Sequence, residues 1–89
     1  MQYRETEIIN KLGLHARAAS KFANLATRFQ CKITVKLGEK SIDGKSIMSL
    51  MLLAAGIGSQ IAITTEGSDE EEAMDALLEL INNRFDEPE

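Results

Sequence analysis

Cysteine, proline, histidine and aromatic side chains are scarce in this sequence, and tryptophan is absent. The one cysteine, Cys31, excludes a disulfide within the chain, and it reads as a small half-buried residue at the start of a strand and not as a reactive thiol. One histidine, His15, with one cysteine excludes the usual metal-ligand cluster, so no metal is expected. The basic residues are scattered and the aromatics number four, which argues against a general nucleic-acid binder. Residues Met1 to Glu7 are polar and mixed in charge, unlike a secretory signal. The longest apolar stretch, Ile47 to Ile57, has 11 residues and is too short to span a bilayer. These absences predict a soluble, cytoplasmic protein that contacts neither membrane nor nucleic acid, and a monomer is expected.

What the sequence does contain is enough for one core. A chain of 89 residues, 44 % apolar, is expected to fold as a single domain over residues 1–89 and to bury roughly 60 % of its unfolded surface. Its net charge of −4 conceals an asymmetry: residues 1–65 carry nine Lys and Arg against four Asp and Glu, whereas residues 66–89 carry one against ten. An acidic C-terminal element therefore accompanies a mildly basic remainder suited to anionic ligands or acidic partners.

Hydrophobic periodicity orders the chain. Thr6 to Ile9 reads as a short strand that gives way to a loop over Asn10 to Leu14. Ala18, Ala19, Phe22, Leu25, Ala26 and Phe29 form one apolar face of a helix from about Ala16 to Arg28. Ile33, Val35 and Leu37 alternate with polar residues as a strand, and Gly38 and Glu39 turn the chain into a second strand, Lys40 to Ile42. Asp43 and Gly44 break that strand, and Ser46 opens a short helix through Leu53 that Gly56 and Gly58 end. Ile61 to Thr65 is a further strand closed by Gly67. Ser68 then reads as the N-cap of a last helix whose buried stripe is Ala73, Met74, Leu77, Leu78, Ile81 and Phe85, with Asp86 to Glu89 expected to fray. The order β-α-β-β-α-β-α predicts an α+β open-faced sandwich, with a four-stranded antiparallel sheet and three helices on one face.

Two places could carry chemistry. His15 stands at the entrance of the strongest helix, where unpaired backbone N–H groups, those of Ala16 and Arg17 among them, and the helix dipole favour an oxyanion such as phosphate. Arg17 adds a planar cation suited to phosphate oxygens, and the imidazole can act as a nitrogen nucleophile. Spacing alone leaves a second reading open, in which His15 caps the helix or lies on the surface and Arg17 is a solvated helix residue. The short helix after Ser46 is apolar nearly all round, so one face is uncovered or binds something. Either all of Ile47, Met48, Leu50, Met51 and Leu53 are buried, or Ile47, Met48 and Met51 form a partner-binding patch in which methionine repacks against different surfaces. Ser46 itself reads as a helix cap.

The run Asn10, Lys11, Leu12, Gly13, Leu14, His15, Ala16, Arg17, Ala18, Ala19 resembles the active-site motif of the HPr family, the histidine-containing phosphocarriers of the bacterial phosphotransferase system. Lys45, Ser46, Ile47, Met48 is similar to that family's regulatory-serine segment, and the order of elements extends the resemblance over essentially the whole chain. The resemblance implies that His15 accepts a phosphoryl group from phosphoenolpyruvate through enzyme I and passes it to an enzyme IIA component, with Arg17 stabilising the phosphate. The resemblance further implies a chain with no cofactor of its own, a substrate of enzymes and not itself an enzyme. The resemblance also implies a partner-binding patch at Ile47, Met48 and Met51, and because some members carry a phosphorylated serine at this position it adds a serine kinase or phosphorylase acting on Ser46 as a second reading beside the helix cap. Many members have proline where this chain has Ala18; alanine is a good helix former, so the change should leave the site in place.

Ile8 through Arg17 and the ending Asn82 to Glu87 look similar to the nitrogen-related phosphocarriers, whose relay is regulatory, whereas Ser46 resembles the kinase-regulated members. The resemblance leans to a regulatory relay, with sugar transport as the other reading. Two functions of a different class compete. An RNA-binding module would need aromatics on its strands for base stacking, and Ile33 to Leu37 and Ile61 to Thr65 contain none. A regulator working through Ser46 and the Ile47, Met48 and Met51 surface would make no use of His15 and Arg17.

Overall fold

A computed structural model describes residues 1–88. The elements run β1 (Gln2–Glu7), α1 (Ala16–Ala26), β2 (Lys32–Leu37), β3 (Lys40–Asp43), α2 (Ile47–Leu53), β4 (Gln60–Glu66) and α3 (Glu70–Asn82), followed by a 3-10 turn at Arg84–Asp86. The four strands form one antiparallel sheet in the order β1-β4-β2-β3, with three helices on one face, the open-faced α+β sandwich expected from the order of elements. No helix among the described residues is long and apolar enough to cross a membrane.

Alternation along the central strands decides which face is covered. Ile33 and Val35 of β2 and Ile61, Ile63 and Thr65 of β4 are buried, while Lys32, Lys36, Gln60 and Glu66 between and beside them are exposed. Phe22 from α1 and Met74, Leu77 and Ile81 from α3 complete that layer. Each such side chain contributes about 1.5–3 kcal/mol on leaving water.

Several boundaries differ from the expected ones, each for a reason outside the local pattern. β1 runs from Gln2 and not from Thr6, because it is an edge strand whose side chains are mostly solvated; pairing from Gln2↔Thr65 to Glu7↔Gln60 defines it, not apolar alternation. Ile8 lies beyond the strand, fully buried, with its N–H donating to Ser59 O (2.9 Å) and its carbonyl accepting from Gly58 N (2.7 Å). α1 stops at Ala26 and not at Arg28, as Arg28 N and Phe29 N bond three residues back to Leu25 O and Ala26 O. α2 ends through Ala54, which takes the left-handed conformation (φ 57°) expected of Gly56 or Gly58.

The cap of α3 is Asp69 and not Ser68, which is exposed. The Asp69 carboxylate is turned away from its own helix and accepts from Gln30 N (2.8 Å) and from N of the buried Cys31 (2.9 Å). These bonds, the one from Gln30 foremost, outweigh burial and hold the Asp69 pKa below its ordinary 3.8. A depressed carboxylate pKa contributes stability above its unfolded value that disappears as pH falls through the folded value. Asp69→Asn should therefore melt below wild type at neutral pH, with the gap closing as both are acidified past 3.8. Paired thermal melts across that range check this; a gap independent of pH contradicts it.

The C-terminal tail is the largest departure. The stripe of α3 ends at Ile81, Leu78 is only half-buried, and Phe85 reaches the core from the 3-10 turn with none of its side chain exposed. Asp86 and Glu87, expected to fray, are held: Asp86 N donates to Asn83 O (3.0 Å), Glu87 N to Arg84 O (2.9 Å) and Lys21 Nζ to Phe85 O (2.7 Å). A buried phenyl ring anchors the chain there, so fraying would expose it. The fraying expectation for Glu89 lies outside the described residues.

Candidate functional site

The loop before α1 is built to present one side chain. Asn10 is fully buried, and its side-chain Nδ2 donates to Gly13 O (2.9 Å) while its backbone carbonyl accepts from Gly13 N (3.2 Å). Gly13 has φ +66°, and a Cβ there would lie 2.5 Å from Ala55 O and 2.7 Å from Gly56 Cα, so only glycine fits both the turn and the close approach. Leu14 N then donates to Ala55 O (2.9 Å), tying the loop to the end of α2.

This clamp delivers His15 as the N-cap of α1 in extended conformation (φ −73°, ψ 179°), its carbonyl accepting from Ala19 N (2.8 Å). The imidazole makes no capping bond to its own helix. The first N–H groups of α1, including those of Ala16 and Arg17, therefore remain without an intrahelical partner and present the positive end of the dipole. Arg17 is exposed in the first turn, and among the described residues its guanidinium has no hydrogen-bond or ion-pair partner. His15, Ala16 and Arg17 line one cleft of about 650 Å³ with Lys11, Leu12, Glu87 and Pro88. The sequence-derived trio is thus brought together at a helix N-terminus, with Lys11 joining Arg17 as a second cation of the cleft, an arrangement able to hold a phosphoryl group next to a nitrogen nucleophile.

Glu87 is the site residue that the sequence reading missed. One carboxylate oxygen, Oε2, pairs with His15 Nε2, and the other, Oε1, accepts from Asn10 Nδ2 (2.9 Å). The Glu87 side chain is 10 % exposed and that of His15 28 %. Burial pushes the Glu87 pKa up, but the hydrogen bond from Asn10 and then the hydrogen bond and charge of His15 more than offset it, leaving the carboxyl below its ordinary 4.5. The available signal was Phe85, an apolar residue four positions beyond Ile81: an anchor there holds the chain close behind it.

The second group sits on α2. Ser46 is its N-cap, with Oγ accepting from Ser49 N (3.2 Å), as its sequence position implied. Leu50 and Leu53 face the core, whereas Ile47, Met48 and Met51 are 39, 66 and 42 % exposed, so the five residues are not all buried and the three stand together on an open face. Leu52, at 70 %, widens that face, and Leu12 and Ile57 are also exposed; the sequence reading did not single these out. Because the Leu14–Ala55 bond joins the two segments, the apolar surface and the His15 cleft share one end of the molecule.

Residues 2–83 match the family model described as the PTS HPr component phosphorylation site. The chain is similar to a phosphocarrier protein HPr of Pseudomonas putida, 58 % identical over 90 aligned residues that cover all of both chains. A phosphocarrier protein NPr of Shewanella violacea is 44 % identical over 84 residues, covering 94 % of this chain and 92 % of the relative. The crystal structure of HPr-C-His from Thermoanaerobacter tengcongensis superposes with a TM-score of 0.96 at 42 % identity, covering 100 % of each chain.

Proposed function

The chain belongs to the HPr family of phosphocarriers of the phosphotransferase system, and from that premise we propose that His15 is the residue that carries the phosphoryl group. The observation that carries the assignment is the placement of His15: the imidazole stands at the N-terminus of α1 without capping it, in one cleft with Arg17. A ring nitrogen of His15 attacks phosphorus on charged enzyme I, the bond from phosphorus to the donor breaks, and its electron pair stays with the donor. Charge on the transferring oxygens is met by the N–H groups of Ala16 and Arg17 and by the Arg17 guanidinium. The reverse chemistry hands the group to an enzyme IIA component. The protein works in the cytoplasm as one domain over residues 1–89, and it is a shuttle between enzymes with no catalytic turnover of its own.

Identity is higher to the HPr of Pseudomonas putida than to the NPr of Shewanella violacea, so both sugar-transport and nitrogen-related IIA acceptors belong in the assay. Incubation with phosphoenolpyruvate and enzyme I, followed by intact mass before and after acid treatment, tests the reading. One added phosphate that acid removes is the expected result, because a phosphorus–nitrogen bond loses its stability once the ring is protonated; no uptake, or an acid-stable phosphate, overturns it.

Ile47, Met48 and Met51 form the docking patch in this reading, and Ser46 controls it when a kinase phosphorylates it. A phosphate on Ser46 sits at the start of α2, where the helix dipole favours it by about 0.3–1 kcal/mol, so the fold is kept. The same dianion must be desolvated beside the apolar patch and repels an acidic partner surface. Ser46→Asp should thus melt at or slightly above the wild-type temperature yet be phosphorylated more slowly by enzyme I. Wild-type rates at both low and high salt would leave Ser46 as a helix cap only.

A further inference from the structure

The C-terminal tail, which begins beyond the family match at residue 83, is built to hold one carboxylate against His15. Arg84, Phe85 and Asp86 have φ of 56°, 54° and 62°, three consecutive left-handed residues of which none is glycine. L-residues keep such a conformation only where their surroundings impose it. Here the surroundings are specific. Phe85 is fully buried, Lys21 Nζ donates to Phe85 O (2.7 Å) and lies 3.9 Å from Asp86 Oδ2, and Glu87 N bonds Arg84 O (2.9 Å). The product of this turn is a Glu87 carboxylate with both oxygens engaged, one by the buried amide of Asn10 and one by His15 Nε2. That amide spends its other N–H on Gly13 O, so one side chain ties the tail to the loop that presents the histidine.

We propose that Glu87 is a positioning residue for phosphoryl transfer: it holds the proton of His15 on Nε2, directs the lone pair of Nδ1 at phosphorus, and shares the positive charge the ring acquires as the bond forms. The inference rests on His15 being the acceptor. In the forward step the Nδ1 pair forms the bond to phosphorus, the bond from phosphorus to the donor breaks with its pair staying on the donor, and the ring keeps its Nε2 proton against the carboxylate. In the return step the same Nε2–H makes the imidazole a better leaving group, and the phosphorus–Nδ1 pair returns to Nδ1. An anionic group beside a histidine fixes its tautomer and steadies its cationic form in this way wherever the ring reacts through its other nitrogen.

The test uses the full chain as wild type, Glu87→Ala and Glu87→Gln. Ring nitrogen shifts of His15 read the tautomer, and single-turnover phosphorylation by enzyme I over a range of enzyme I concentrations separates rate from docking. Wild type should hold its proton on Nε2. Glu87→Ala should show a mixture of tautomers and a maximal rate about tenfold lower, with half-saturation unchanged because the apolar docking face lies on α2. Glu87→Gln keeps an acceptor oxygen and should retain the Nε2–H form with an intermediate rate. A wild-type rate in Glu87→Ala overturns the proposal, as does a faster one, which would make the tail a shield over His15. If wild type itself takes up no phosphate on His15, the phosphocarrier assignment fails, and that result is separate from any change in tautomer.

Discussion

His15→Ala is expected to take up no acid-labile phosphate from phosphoenolpyruvate and enzyme I, while melting close to the wild-type temperature. The two halves of this expectation have different origins in the structure. The imidazole makes no bond to α1, and the bond from Ala19 N to His15 O is a backbone contact that alanine keeps. Nor does the tail depend on the ring alone, since Phe85, Lys21 and Asn10 hold it independently. What alanine removes is the only imidazole in the chain. Intact mass with and without acid, run beside a thermal melt, reads both halves. An acid-labile phosphate on His15→Ala contradicts the assignment of the acceptor.

Arg17→Ala should slow transfer by about tenfold to a hundredfold, equivalent to roughly 1.5–3 kcal/mol for a charged hydrogen bond to phosphate made in the transition state. The side chain is exposed, on the opposite side of the start of α1 from the buried Ala19 and Phe22, and lines the cleft that holds His15. Its guanidinium has no hydrogen-bond or ion-pair partner among the described residues, so no such bond between them is lost when it goes. Single-turnover rates measured with the melting temperature check the separation. An unchanged rate, or a large fall in melting temperature in place of a rate effect, would contradict a role in phosphate stabilisation.

The parts of this molecule legible in its sequence are those whose determinants are local. The stripe Ala18, Ala19, Phe22 and Ala26 specifies α1, alternation specifies β2 and β4, and Ser46 caps α2 through a bond three residues away. The exposed face of α2 was legible as a conflict: seven residues, IMSLMLL, cannot all face one core, and Ile47, Met48 and Met51 are left outside together with Leu52, which that conflict alone did not single out. β1 begins earlier than the sequence predicts because an edge strand draws its order from backbone pairing with β4, which leaves no apolar rhythm to read. The tail is not legible in the sequence for a related reason. Its left-handed turn contains no glycine to announce it, and the contact it makes joins Glu87 to His15 across 72 positions of sequence, which local spacing does not encode.

A phosphocarrier residue must both receive and surrender the phosphoryl group. Charging the protein with phosphoenolpyruvate and enzyme I, locating the phosphate by peptide fragmentation at neutral pH, and then adding enzyme IIA acceptors in a single turnover measures that directly. The phosphate should be found on His15 alone and should leave the chain as an acceptor gains it. A phosphate on any other residue, or one that stays on His15 in the presence of every IIA acceptor, would contradict it.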